Sequence, residues 1–133
     1  ELGRFDEATE VLEATLEDYR FLAHTHPLNP DHHRVAGDAL VVLHRGAEAK
    51  EAYRRAIDKD HLRLKTVSDP TSEARVRWSL GRTFVALGDT ESASTELARA
   101  RALPSDAKTQ HRLDEWMKEN LDTATYAALV NLR

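Results

Sequence analysis

Four of the seven histidines fall within ten residues, and such a group raises the question of a metal site. They are His24, His26, His32 and His33. A zinc site needs ligands at converging spacings, each oriented by a second shell of hydrogen bonds. His24 and His26 are two residues apart and would lie on different faces of a helix. No Asp–His or Glu–His pair has a recognised ligand spacing, so we expect solvated histidines and no metal site.

Motifs for catalysis are absent from the sequence. There is no glycine-rich phosphate loop, no G-x-S-x-G elbow and no H-E-x-x-H helix. The chain also lacks cysteine, which excludes thiol catalysis, disulfides and cysteine zinc ligands. The acidic residues are abundant, but they are typical of solvated helix surfaces. We therefore expect a protein that is not an enzyme and that holds no cofactor.

Charge and hydropathy exclude two further classes of partner. The net charge is −4, and arginines such as Arg54 and Arg55 are interleaved with acids, whereas phosphate binding requires concentrated cations. No run of apolar residues approaches the eighteen or more that cross a membrane. We expect a cytoplasmic protein without direct nucleic-acid or membrane contact. Arginine outnumbers lysine 14 to 5, which favours a bacterial source.

Two sets of side chains, 44 residues apart, each share one helical face and could recognise a partner. The first is Asp31, Arg34, Asp38 and Val41, and the second is Arg75, Trp78, Arg82 and Val85. Tryptophan offers a large contact area and one donor, and it is enriched at interface hot spots. Arg75 and Arg82 lie one turn either side of Trp78 and can hold carboxylates. The alternative is that Trp78 packs against the next helices and that the charges are simply solvated.

Proline, glycine and capping residues divide the chain into seven expected helices and no convincing strand. Pro27 and Pro30 separate the first two helices, because each lacks an amide donor. Asp69 and Asp122 are expected N-caps, and Pro70 tolerates the first helical position. The expected helices cover residues 6–24, 31–44, 48–67, 70–87, 90–103, 105–120 and 122–132.

A spacing of small and large residues occurs three times. The copies are Ala8-x3-Leu12-x2-Thr15, Ala49-x3-Tyr53-x2-Ala56 and Ala93-x3-Leu97-x2-Ala100, offset by 41 and 44 residues. Gly37 and Gly81 each lie twelve residues before the alanine of the second and third copy. Repetition at a fixed period between 20 and 50 residues indicates a stacked array of helix pairs.

This pattern resembles the tetratricopeptide repeat. The third copy matches best, through Leu80-Gly81, Phe84, Gly88, Ala93, Leu97, Ala100 and Pro104. The second copy keeps Gly37, Leu40, Ala49, Tyr53 and Ala56, with His44 at the usual turn glycine, and the first retains only its second half. The period is similar to the extended repeats of kinesin light chain and of bacterial regulatory ATPases. The resemblance covers residue 1 to about residue 104.

The resemblance implies an all-α, right-handed α-solenoid. Residues 1–29 would be the second half of a first repeat, 30–69 the second repeat, 70–104 the third and 105–133 a capping helix pair. Gly37 and Gly81 would let helix backbones approach, with Tyr53 and Leu97 filling the space. Since the chain opens on a segment similar to the turn before a second helix, we expect a fragment of a longer array.

In this family the first helix of each repeat lines a concave groove. The implied partner-binding residues are Arg34, Asp38, Val41, Arg75, Trp78, Arg82 and Val85. The implied function is a protein- or peptide-binding scaffold within a larger bacterial regulatory or signalling protein. Asp38 would repel a carboxylate, which opposes capture of a chaperone's C-terminal tail.

The C-terminal helices carry an apolar stripe that has two interpretations. It consists of Leu113, Trp116, Met117 and Leu121, followed by Tyr126, Leu129 and Val130. The stripe either caps the open end of the array or forms a self-association surface. Two functional alternatives also remain: a structural or oligomerising helical segment, and a sensor segment that controls an attached ATPase or DNA-binding domain.

Overall fold

The described part of the chain is built from helices and the turns between them. A computed structural model describes residues 2–25 and 30–131, and these ranges contain seven helices and no strand. The helices are α1 Leu2–Thr25, α2 Pro30–Val42, α3 Gly46–Leu64, α4 Pro70–Leu87, α5 Thr90–Ala102, α6 Ala107–Asn120 and α7 Thr123–Asn131. The all-α fold class is confirmed. None of the described helices combines the length and the apolar character needed to cross a membrane.

The start of α1 differs from the expected range. The helix begins at Leu2 instead of Asp6, so the prediction of a loop over residues 2–5 is wrong. That loop was inferred from Gly3 by analogy with Gly88, but a glycine inside a helix costs only about 1 kcal/mol and its neighbours are helix formers. The other described bounds lie within three residues of the expected ones. Pro27 and His26 lie outside the described residues.

Aspartates cap the N-termini of four helices, as expected for Asp69 and Asp122. A side-chain oxygen of each accepts a hydrogen bond from the amide three residues later. These bonds join Ser72 to Asp69 at 2.9 Å, Ser92 to Asp89 at 3.1 Å, Thr109 to Asp106 at 2.7 Å and Thr125 to Asp122 at 2.8 Å. The amides favour the ionised carboxylate and thereby lower the pKa of Asp69 and of Asp122. These local signals explain why the helix starts are readable from sequence.

The α2–α3 and α4–α5 turns have the same backbone conformation, 44 residues apart. His44 has a φ of 60° and Gly88 a φ of 79°, both in the left-handed region. Matching hydrogen bonds close the two turns, from Arg45 N to Leu40 O at 2.8 Å and from Asp89 N to Phe84 O at 3.0 Å. This is the usual way to end a helix with a residue that favours positive φ, and glycine adopts it most easily. His44 therefore adopts the left-handed backbone conformation that glycine adopts most easily.

In each of these helix pairs, a glycine on the first helix packs against a large residue on the second. A Cβ added to Gly37 would lie 2.5 Å from Tyr53 Cε1, and one added to Gly81 would lie 2.6 Å from Leu97 Cγ. The predicted close approach at the two glycines is confirmed. Because the pairs are also 44 residues apart, the turn and the packing contact repeat together.

The helices form two compact units, one up to Leu62 and one from Arg63 onward, which we call the first and the second unit. In the first unit α1 packs against α2. In the second unit α4 packs against α5 and α6, while α5 also packs against α7. The core of the second unit is a buried cluster of Leu97, Ala100, Leu113, Met117 and Leu129. The C-terminal apolar stripe thus contributes three of its residues to this core.

Candidate functional site

The predicted residues of the first unit lie along α2, and they differ in exposure. Arg34 is only 7% exposed, and its guanidinium forms an ion pair with Asp31 at 2.8 Å. Asp38 is exposed and accepts a 2.5 Å hydrogen bond from the hydroxyl of Tyr53. Val41 is 52% exposed. We call Arg34, Asp38 and Val41 the α2 face, and Asp38 and Val41 are its exposed members.

Asp38 accepts a hydrogen bond from the buried hydroxyl of Tyr53. The Tyr53 side chain fills the space beside Gly37 and is 3% exposed, so its hydroxyl needs a partner inside the helix pair. Burial, followed by the hydrogen bond to Asp38, raises the pKa of Tyr53 well above its ordinary value. The carboxylate of Asp38 is therefore already engaged by its own helix pair.

The predicted residues of the second unit lie on α4 and meet α6. We call Arg75, Trp78, Arg82 and Val85 the α4 face. Arg75 is exposed, with its Nε 3.3 Å from Thr109 Oγ1 and its Nη2 3.9 Å from the carboxylate of Asp106. Val85 is partly buried. Both contacts of Arg75 are with the beginning of α6, so the α4 face and α6 form one continuous surface.

Trp78 and Arg82 build an aromatic–cation cluster with Trp116 of α6. The two indoles meet edge to face, with ring centroids 6.4 Å apart and planes at 62°. The Arg82 guanidinium lies 5.7 Å from the Trp78 centroid and 5.9 Å from that of Trp116. Guanidinium–indole contacts at this distance are favourable, and more so when they are desolvated. Trp78 thus packs against α6 while remaining partly exposed.

The indole nitrogen of Trp78 is buried and has no hydrogen-bond partner among the described residues. Buried donors are nearly always paired, because an unmade hydrogen bond leaves a desolvation penalty of about 1–3 kcal/mol. This N–H lies beneath the surface, whereas the Arg82 guanidinium lies over the ring face. The donors at the surface of this cluster are therefore those of the Arg82 guanidinium.

A second candidate site, which sequence reasoning missed, is a cleft in the first unit. It has a volume of about 670 Å³ and is lined by α1, α2 and α3. Its lining residues are Tyr19, Arg20, His24, His33, Ala36, Leu40, Glu48, Glu51, Ala52, Arg55, Asp58 and Lys59. Volumes of 300–1,000 Å³ that combine apolar area with a few polar groups are typical of ligand sites.

The sequence carried only a weak signal for this cleft. Arg55 and Lys59 are four residues apart and flank the buried stripe of α3, whose members include Ala52 and Ala56. The interpretation of Arg55 as part of a solvated helix surface is therefore incomplete, because its side chain lines the cleft. What creates the cleft is the approach of three helices, and no local spacing encodes that approach.

Known proteins add no functional assignment. Comparison of the chain with protein-family models, with curated proteins and with solved structures finds no match. Within residues 2–25 and 30–131, no three His, Asp or Glu side chains are grouped as metal ligands would be.

Proposed function

We propose that the chain is a protein- or peptide-binding scaffold of the tetratricopeptide type. The observation that carries this proposal is the joint recurrence, at an offset of 44 residues, of a left-handed turn and of a glycine packed against a large residue. Two helix pairs with the same turn and the same internal contact are repeats in the structural sense. Repeat scaffolds serve mainly to present extended surfaces to partners.

The packing of the second unit supports an α-solenoid. Two consecutive pairs, α4–α5 and α6–α7, are stacked so that α4 contacts α6 and α5 contacts α7. In a stacked array, the first helix of one pair contacts the first helix of the next pair, and the second helices contact each other in the same way. The pair α6–α7 is the capping pair of this proposal. Leu113, Met117 and Leu129 are buried in the unit's core, which favours capping over the self-association alternative.

Partner binding is assigned to the α4 face together with Trp116, with the α2 face in a lesser role. Two features support this choice: an exposed and a partly exposed arginine, and two partly exposed indoles. Arginine and tryptophan dominate interface hot spots. The partner is a peptide segment that offers a carboxylate to Arg75 or Arg82. The larger bacterial regulatory setting in the cytoplasm stays a prediction.

The test is a binding measurement with a matched charge control. Peptides selected from a displayed library against the whole chain would be labelled, and their Kd measured by fluorescence anisotropy. We expect Arg75→Glu/Arg82→Glu to weaken binding by about tenfold or more, since contacts to charged groups contribute about 1.5–3 kcal/mol. Lys65→Glu/Lys118→Glu makes the same change in charge at exposed sites outside the α4 face. Equal losses in both variants, at unchanged helix content, would refute the assignment.

A further inference from the structure

The helix α1 accounts for the whole net charge of the chain. It contains six of the 23 acidic residues but only two of the 19 lysines and arginines, so the remaining residues, 17 of each sign, cancel. One of the two arginines, Arg20, lies toward α3, where its guanidinium meets Glu48 at 3.3 Å. The helix α1 is therefore the acidic element of a chain that is otherwise neutral.

One side of α1 packs against α2, and the opposite side is exposed. On the packed side Leu16 is fully buried, and the Tyr19 ring lies 6.3 Å from the ring of His32 on α2. The exposed side, which we call the outer face of α1, consists of Glu7, Glu10, Val11, Ala14, Glu17, Asp18 and Phe21. These described residues comprise four carboxylates, three apolar side chains and no cation.

The outer face of α1 carries the two most exposed large apolar side chains of the described residues. Phe21 is 66% exposed and Val11 is 64% exposed. With Ala14 and Asp18 between them, they follow one another at steps of three, four and three residues, which is the spacing of the seam in paired helices. Single exposed apolar residues are common on protein surfaces. An aligned pair roughly 15 Å apart along one helix instead matches the contact line of a second helix.

The carboxylates of the outer face determine the charge that such a helix must carry. Glu10 and Glu17 flank the seam, at the positions whose charges set partner choice in paired helices, and Asp18 lies within the seam. Glu17 meets Arg20 at 3.4 Å, whereas no cation of the described residues lies within ion-pair distance of Glu10 or Asp18. Lysine or arginine side chains on the docking helix would supply the counter-charges.

We infer that the outer face of α1 binds an amphipathic helix of a partner protein, whose apolar stripe is flanked by lysines and arginines. The apolar side chains of that helix cover Val11, Ala14 and Phe21, and its cations meet Glu10 and Asp18. A second copy of this chain is a poorer occupant, because pairing two outer faces would oppose four carboxylates to four others. The inference does not rest on the α4 face, which belongs to the second unit and is assigned a partner with a carboxylate.

The experiment measures the binding of a designed helix to the whole chain. The probe is a labelled peptide of three Lys-Ile-Ala-Ala-Leu-Lys-Ala heptads, with lysine in place of the central isoleucine to face Asp18. Its Kd is measured by fluorescence anisotropy, and amide shifts in NMR spectra map its contact surface. We expect saturable shifts centred on α1 and binding that weakens as salt is raised. The peptide with glutamate in place of every lysine should bind at least about tenfold more weakly.

Two double variants test the apolar part of the outer face. Val11→Ser/Phe21→Ser should weaken binding of the lysine peptide by about tenfold or more, because the apolar area that the peptide buries is lost. Val42→Ser/Leu62→Ser changes exposed apolar side chains of the same unit outside α1, and its affinity should stay within about twofold of the parent. Phe21→Leu keeps a large apolar side chain and should retain most of the binding, which separates a lost contact from a folding defect.

A second pair of variants tests the charges. Glu10→Gln/Asp18→Asn should weaken binding of the lysine peptide by about fivefold at low salt, since exposed ion pairs contribute modestly. Glu115→Gln/Glu119→Gln removes the same charge from exposed positions of α6, and its affinity should stay within about twofold of the parent.

Five results would overturn the inference. These are no binding of the lysine peptide, equal affinity for the glutamate peptide, an equal loss in either control variant, shifts that map outside α1, and a dimer of the unliganded chain that Val11→Ser/Phe21→Ser dissociates. The last result, measured by sedimentation equilibrium, would assign the outer face to a second copy of the chain.

Discussion

Replacement of His44 by glycine should stabilise the protein. His44 ends α2 with a φ of 60°, at the repeat position where Gly88 has a φ of 79°. A non-glycine residue in this region costs roughly 1–2 kcal/mol, and glycine avoids that cost. Glycine also loses more backbone entropy on folding, about 0.5–1 kcal/mol. The difference leaves a net stabilisation of about 0.5–1 kcal/mol, since histidine tolerates this region better than most residues.

The measurement is thermal and urea unfolding followed by circular dichroism. For a chain of this size, about 0.5–1 kcal/mol corresponds to an increase in Tm of roughly 2–4 °C. The opposite substitution, Gly88→His, is the matched control. A Cβ at Gly88 would meet nothing within 4 Å, so the expected loss of similar size is conformational rather than steric. The exchange variant His44→Gly/Gly88→His should return close to the parent stability.

The reasoning would be refuted if His44→Gly left Tm unchanged or lowered it while Gly88→His lowered it as expected. That result would mean that the His44 side chain makes a stabilising contact large enough to offset its backbone conformation. If instead both substitutions were neutral, the left-handed turns themselves would be in question.

Three further predictions concern packing and ionisation. Gly81→Ala should destabilise the chain by about 1–3 kcal/mol, because its Cβ would overlap Leu97, and Gly81→Ala/Leu97→Ala should cost less than the sum of the single changes in urea unfolding. Tyr53→Phe should cost about 1 kcal/mol at neutral pH through the lost hydrogen bond. Since the pKa of Tyr53 is raised on folding, its contribution is complete below the unfolded value of about 10 and declines as pH rises above it. Stability curves of the parent and Tyr53→Phe should therefore converge at alkaline pH, and parallel curves would contradict the assignment. The pKa of His33 is lowered from 6.5, so the unfolded chain binds the proton first and stability should fall as pH drops below about 6.5. His33→Gln should show a smaller acid loss in the same assay, and an unchanged slope would oppose the burial of His33.

Local chemistry explains what could be read from the sequence. The starts of α4 and α7 follow from Asp69 and Asp122, because an aspartate side chain caps free amides within its own turn. The packing at Gly37 and Gly81 was also predictable, since a missing side chain at a repeated position marks a close approach. Both signals act over short distances or recur at a fixed spacing.

The parts that the sequence did not reveal depend on contacts between helices. Trp116 was placed in the C-terminal stripe by its spacing, yet its ring also meets Trp78 and Arg82 from α4. The cleft around Lys59 likewise exists only because α1, α2 and α3 converge. Such contacts involve residues with no fixed separation in the chain, so neither periodicity nor capping rules can locate them.

Equivalent positions of the two helix pairs differ in what the packing residue requires of the helix surface. At an offset of 44 residues, Tyr53 corresponds to Leu97 and Asp38 corresponds to Arg82. Where the packing residue is Tyr53, its buried hydroxyl requires an acceptor, and Asp38 supplies it. Leu97 has no polar group to satisfy, so the equivalent position on α4 is not constrained to be an acceptor. Arg82 occupies that position and lies against two indoles at the surface. With leucine in place of tyrosine inside the helix pair, no buried hydroxyl requires an acceptor at position 82, and an arginine can occupy it.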